Sequence, residues 1–300
     1  MSSKFNRSYI LRVETGDNEF VEILPPFTLE FNIQRNNLAS SNTGHFVIYN
    51  LNMANRSKIY KDIYDVGTFR AVQLFAGYAE KTGDLIPRVF NGSIKRAFSH
   101  RQGPDFRTEI ECYDGQISNM TSDVSITLPA NISTKGIIEA IAKNLKDVGG
   151  VTVGNKFTDL SNRSTAIMGN PSEILSQLTG GGSYIDSGNL YALNKDEVII
   201  GDIRLINVDN GLLGTPKKQE TMIEIEMLFE PRIKPSQLIE LQSTTEPRFN
   251  GFYKVTGIIH RGTISGAVGG DCRTNLTMIQ QKVTDVVYDK ATNEYRVTVV

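Results

Sequence analysis

The 300 residues carry 32 Lys and Arg against 33 Asp and Glu, for a net charge of −1. A balance this close leaves no electrostatic footprint for nucleic acid or an anionic membrane surface. Two cysteines far apart make no disulfide framework, no run of about twenty apolar residues is present to span a bilayer, and the polar N-terminus lacks the apolar core of a secretion signal.

Strand patterns dominate both ends. Tyr9 to Val13 and Phe20 to Leu24 flank the turn-forming Thr15-Gly16-Asp17-Asn18, which predicts a hairpin ended by Pro25-Pro26. Leu29 to Gln34 alternates apolar and polar residues with period two, the mark of a half-buried strand. His45 to Leu51, Ala71 to Tyr78, Arg88 to Ser99 and Phe106 to Tyr113 read as further strands, and Asn55 to Tyr64 as a short helix capped by Asn55. The middle differs. Ser133 to Lys146 carries Ile137, Ile138, Ile141 and Leu145 at helical spacing behind a Ser133 cap, with Gly149-Gly150 beyond its end. Pro171 opens a second helix that runs to Leu178, and strands follow at Leu190 to Leu193 and Glu197 to Ile200. Asn210 to Gln219 reads as a turn-rich linker. Val283 to Tyr288 and Glu294 to Val300 alternate around a polar turn, which predicts a terminal hairpin.

One stretch has an internal echo. Phe90-Asn91-Gly92 leads a strand to His100-Arg101, and the chain resumes after a short loop at Arg107-Thr108. Phe249-Asn250-Gly251 leads to His260-Arg261 and resumes, after a glycine-rich loop, at Arg273-Thr274. Phe106, Thr108, Ile110 and Cys112 alternate on one face of the first copy, as Cys272, Thr274, Leu276 and Met278 do in the second. Upstream, Gln73-Leu74 matches Gln237-Leu238, and LEFNIQ from Leu29 matches IEIEML from Ile223. These markers in one order predict a duplicated β unit; the competing reading is alternation shared by any two β-rich stretches. On the first reading the Gly262 to Gly270 loop is the turn of a strand pair.

Signatures of chemistry are lacking. The three histidines have no partner at a metal-binding interval. His260 and Cys272 share a hairpin but are expected to face opposite ways, which leaves no Cys–His dyad; both cysteines alternate with apolar residues and are expected to act as small hydrophobes. Thr179-Gly180-Gly181-Gly182-Ser183 follows a helix and lacks a P-loop lysine, so it reads as a helix C-cap and turn. Asn207 to Gly211 lacks the spacing of a calcium loop. No catalytic, cofactor-binding or metal-ligating residue is assigned.

The last third carries a family likeness. Gly211-Leu212-Leu213-Gly214-Thr215-Pro216 leads to Met227-Leu228-Phe229-Glu230-Pro231-Arg232-Ile233. Gln237 to Ser243, Gly251-Phe252-Tyr253-Lys254-Val255 and Ile259-His260-Arg261-Gly262 follow. With Phe90-Asn91-Gly92 and Tyr113-Asp114-Gly115 in the first third, this order resembles the central hub proteins of phage tail baseplates. That is the late-control-gene-D class, whose relatives include the hub part of type VI secretion spikes. The likeness departs at Lys234-Pro235-Ser236, where the family often carries a strong-turn residue.

The resemblance implies a mainly β fold, with two similar tube-type β-barrel domains in one chain flanking a mixed α+β domain. The expected boundaries are 1–114 for the first barrel, with an insert at 36–68 holding the short helix, 115–210 for the α+β insert, and 211–300 for the second barrel with its hairpin. It implies a structural hub that is not an enzyme and uses no cofactor: a homotrimer whose pseudo-six-fold ring adapts a six-fold tail tube to a three-fold spike. Expected partners are further copies of itself, the tail tube protein, the central spike protein and other baseplate proteins, with DNA passing through the lumen unrecognised. The expected location is the virion tail baseplate or tip, after assembly in the host cytoplasm. Candidate partner contacts are Asn55, Lys58, Tyr60, Lys61 and Tyr64 in the insert, Gly262, Thr263 and Ser265 in the glycine-rich loop, and Tyr288 and Tyr295 in the terminal hairpin. That hairpin is expected as a further strand of the second barrel or as an edge that accepts a partner's strand. The competing function is a β-rich carbohydrate hydrolase or a glycan-binding protein of a tail tip. The hydrolase would need two carboxylates about 5 to 10 Å apart in a deep pocket, and the lack of Trp counts against the binding module.

Overall fold

The computed structural model describes residues 6–16, 19–38, 41–65, 67–79, 86–266, 270–289 and 294–299. The first third forms β1 (Arg7–Glu14), β2 (Phe20–Ile23), β3 (Leu29–Asn36), β4 (Thr43–Tyr49), β5 (Ala71–Tyr78), β6 (Arg88–Gln102) and β7 (Asp105–Tyr113), with helix α1 (Met53–Ile59) between β4 and β5. Period-two alternation decides the buried face. In β3, Leu29, Phe31 and Ile33 are buried while Asn32 and Gln34 face water. Leu29, Phe31, Phe46, Ile48, Leu74, Phe90 and Ile110 form one core, which also takes in Phe229, Ile264 and Cys272 from the last third.

The middle holds α2 (Gln116–Thr121), β8 (Val124–Leu128), α3 (Thr134–Ala142), β9 (Gly150–Val153), β10 (Thr165–Gly169), α4 (Pro171–Thr179), β11 (Ser183–Asp186), β12 (Asn189–Ala192) and β13 (Ile199–Ile206). The expected caps are in place. Ser133 accepts from Gly136 N at the start of α3; Asn170 and Pro171 open α4, and Gly180 closes it in the left-handed region at φ 62°. Ile138, Ile141, Leu175 and Leu190 give this part a core of its own.

The last third forms β14 (Leu212–Gln219), β15 (Met222–Leu228), β16 (Gln237–Leu241), β17 (Gly251–Ile264), β18 (Cys272–Gln280), β19 (Val283–Asp289) and β20 (Glu294–Val299). A five-strand arrangement occurs twice. Neighbours run β3-β4-β7-β6-β5 in the first third and β14-β15-β18-β17-β16 in the last, all antiparallel. Both hairpins break register at one bulge, at Lys95 in β6 and at Thr256 in β17. Arg107-Thr108 and Arg273-Thr274 are therefore equivalent. The other four markers are out of phase: Phe90 falls against Gly251, not Phe249, and Gln73-Leu74 against Glu240-Leu241, not Gln237-Leu238. The bulges set Ser99, not His100, against His260, and strand order sets β4, not the LEFNIQ strand, against β15.

Other expectations change. Asn210 to Gln219 is no linker: its latter part is β14, the counterpart of β3, and the register shift between Leu213 and Lys217 absorbs the residues that read as a turn. The cap of α1 is Asn52, whose side chain accepts from Asn55 N, and the helix ends at Ile59. The insert at 36–68 contains β4, a full member of the sheet. Pairing among the described residues does not close either unit into a barrel; β3 pairs with β17 and joins both into one sheet. From the middle part, β13 reaches out and pairs in parallel with β16. The terminal strands β19 and β20 pair with each other in a separate sheet. Ser236, at φ 61°, supplies the strong turn at Lys234-Pro235-Ser236.

Gly262 lies between β3 and β18, opposite Phe31 and Cys272. An added Cβ would stand 2.5 Å from Cys272 Sγ and 2.6 Å from the Asp271 carbonyl oxygen. Gly257, on the same strand, has Thr277 at an ordinary 3.5 Å. Gly262→Ala is expected to cost about 1–3 kcal/mol in urea unfolding and Gly257→Ala far less; equal costs would deny that crowding at this three-strand crossing sets the effect.

Candidate functional site

The three parts of the chain meet at a buried polar cluster. Arg35 occupies the apolar phase of β3, after Leu29, Phe31 and Ile33. Its guanidinium grips Asp186 of β11 with two parallel bonds, Nε to Oδ1 at 2.7 Å and Nη2 to Oδ2 at 2.6 Å, with side-chain exposures of 5% and 3%. Nη1 donates to the Ile233 carbonyl oxygen at 3.2 Å, in the last third. Asn42 donates to Asp186 Oδ1 and to the Ile185 carbonyl oxygen, both at 3.1 Å. Asp114, at the end of β7, accepts from Ser187 N at 2.5 Å. Burial, then the charge of Asp186, raises the Asp114 pKa to about 7. Beside this cluster, Tyr184 stacks on Tyr191 at 5.1 Å and donates to the Pro235 carbonyl oxygen at 3.1 Å. Fork-on-carboxylate geometry fixes orientation as well as contact, so the cluster locks three packed bodies in one arrangement.

His260 and Cys272 prove to lie on the same, inner face, because His260 opposes Thr274 and Cys272 stands two residues from Thr274 on β18. The imidazole Nδ1 bonds Thr274 Oγ1 at 2.9 Å, Phe229 meets the ring edge-on, and Nε2 has no partner. Burial, with Arg35 nearby, holds the histidine well below its ordinary 6.5, so it is neutral. Cys272 Sγ donates to the Thr263 carbonyl oxygen, and burial raises its pKa, which disfavours the thiolate. The equivalent pair in the first unit is Ser99 with Thr108, also bonded at 2.9 Å.

The candidate contacts fall in separate places. Lys58, Tyr60 and Tyr64 are exposed around α1, with Tyr64 88% accessible, and Met53 and Ile63 are exposed too. Asn55 is half-buried. Lys61 is buried, and its Nζ donates to the Asp65 carbonyl oxygen, so it braces this loop from inside. Gly262 and Thr263 lie in β17, and Ser265 accepts from the Thr28 hydroxyl at 2.9 Å. Tyr288 and Tyr295 are register partners of β19 and β20; their side chains lie outside the described residues. Sequence reading missed Arg35 and Asp186, although a charge at an apolar phase of the best alternating strand was a signal. Among the described residues no helix is long and apolar enough to cross a membrane.

The same fold occurs in the 43 kDa tail protein of prophage MuSo2 from Shewanella oneidensis, with 11% identity over 91% of this chain and 97% of that one and a TM-score of 0.60. A tail protein from Neisseria meningitidis MC58 aligns over 92% of this chain and 97% of its own, at 9% identity and a TM-score of 0.57. The Escherichia coli c3393 protein is a component of the type VI secretion system with structural similarity to the T4 bacteriophage tail proteins gp27 and gp5. It aligns over 86% of this chain and 74% of its own, at 10% identity and a TM-score of 0.51. The fold is thus one shared by phage tail and type VI secretion proteins. Residues 11–261 match the baseplate hub gp41 family, and the chain belongs to that family, a structural hub of the phage tail. No curated protein sequence matches the chain.

Arg35→Met would leave buried Asp186 without its counter-charge and is expected to cost about 3–5 kcal/mol, with Arg35→Met/Asp186→Leu recovering most of it; an unrecovered double variant in urea titrations would deny that the pair is the lock. Asp114 binds a proton in the folded state up to about pH 7 and, unfolded, releases it near 4, so its contribution to stability falls as pH rises across that window. His260 has the opposite sign: its contribution is full above 6.5 and falls as pH drops. Asp114→Asn should gain on wild type with rising pH by up to about 1.4 kcal/mol per unit between about pH 4 and 7; a pH-independent difference would contradict the raised pKa.

Proposed function

We propose that three copies of this chain close into a ring with pseudo-six-fold symmetry, which joins a six-fold tail tube to a three-fold central spike in the baseplate or tail tip. The observation that carries this reading is the repeated strand order. Each chain offers two units with the same five-strand connectivity, so three chains offer six. Within the chain the units meet where the distal half of β17 pairs with β3, from Gly257–Asn36 to Ile264–Leu29. The equivalent elements, the distal half of β6 and the outer edge of β14, are left for contact between copies. The equivalence is inexact at one position, where Lys61 bridges Ala97 on β6.

On this reading the role is mechanical, without catalysis or a cofactor. The region around α1, which has no helical counterpart in the second unit, supports contacts of three-fold symmetry with other baseplate proteins, through Lys58, Tyr60 and Tyr64. DNA crosses the lumen without sequence recognition, in keeping with the near-zero net charge, and assembly takes place in the host cytoplasm.

Light scattering of the purified chain, alone and with co-expressed tail neighbours, tests the ring. The expected particle is about 100 kDa, three times the 33.3 kDa chain, with six similar lobes in projection. A chain that stays monomeric beside its neighbours would overturn it.

A further inference from the structure

Lys254 of β17 is only 5% exposed, and its Nζ makes one hydrogen bond, to the Lys195 carbonyl oxygen at 3.0 Å. No ion pair reaches it among the described residues. Asp196 and Glu197 act on it from a distance, and the Glu197 oxygens are occupied at 2.8 Å by Lys156 N and Asn194 N. Burial lowers the lysine pKa to about 8, so at neutral pH the ammonium persists with donors unused. A cation removed from water without a counter-charge is costly. Nor does the strand unit require it, because the equivalent position, two residues before the bulge, is Ser93 in the first unit.

Lys254 lines a cavity of about 600 Å³ at the meeting of all three parts of the chain. Leu38 follows β3, Gly181 follows α4, Asp196 precedes β13, and Met222 comes from β15. Leu38 and Met222 expose large apolar side chains beside it. We propose that this cavity receives an acidic side chain from a protein partner, its carboxylate meeting Lys254 Nζ while apolar residues flanking it cover Leu38 and Met222. A small free acid would neutralise the ammonium but leave those two side chains in water, which favours a loop. The cavity lies within one chain, so the site stands whether or not a ring forms.

The test uses the full chain with lysine labelled at Cε, titrated with acetyl-Leu-Asp-Leu-amide, its Asn analogue and acetate. The Asp peptide is expected to bind at least about tenfold more tightly than either control. It should also raise the Lys254 pKa by about one unit or more. Lys254→Met should abolish the preference for Asp over Asn and melt no lower than wild type, since it removes an unpaired buried charge. Equal binding of the two peptides, an unmoved Lys254 signal, or acetate binding as tightly as the peptide would each overturn the proposal. The peptide comparison needs only the wild-type chain, so a poorly folding variant does not shield it.

Discussion

Arg35 and Asp186 form the contact on which the rest of the arrangement depends. The middle part has an apolar cluster of its own, the last third has one around Ile225, Val255 and Leu276, and the first third's cluster also takes in Phe229, Ile264 and Cys272. Apolar packing by itself is tolerant of small slides and rotations. A bidentate pair is not, because two parallel bonds fix the plane and the direction of approach. Arg35 belongs to the first unit and Asp186 to the middle part, while the third contact of the guanidinium is a backbone oxygen of the second unit. The pair therefore holds three bodies at one point. Taking both charges from water is expensive, and specificity of arrangement is the return that a structural hub has use for.

Much of this scaffold was legible in the sequence. Alternation located the hairpins and most core strands, and capping residues located α3 and α4, because these signals are local. The duplication was legible in outline, and Arg107-Thr108 against Arg273-Thr274 fell in the right register. His100 against His260 did not, and the bulges explain it: Ser99 is the residue that shares the inward position. His100 is exposed, while His260 is buried. An identical dipeptide one step out of phase lands on the opposite face of a strand.

What escaped the sequence is long-range. The turn-forming residues of Asn210 to Gln219 make it look like a linker, yet β15 supplies a partner for Leu212 to Gln219 and a register shift absorbs the irregular residues. The cap of α1 was placed three residues late because several asparagines compete nearby, and the one used is the one whose side chain reaches Asn55 N. The junction of the two units through β3 and β17, the pairing of Arg35 with a residue 151 positions away, and the burial of Lys254 each depend on which segments meet. Composition does not encode that.

The division of β17 has a mechanical consequence. Its first residues pair with β16 of its own unit, from Gly251 to Lys254, and its last with β3 of the other, from Gly257 to Ile264, while β18 runs alongside for most of its length. A pull along these strands loads the eight paired positions between β17 and β3 together, in shear; they do not open one after another as a zipper does. The joint between the two units is thereby strongest along the strand direction and weakest to a peeling force applied at Ile264 and Leu29. The proposed place between a tube and a spike suits such a joint only if its strands run close to the direction of thrust.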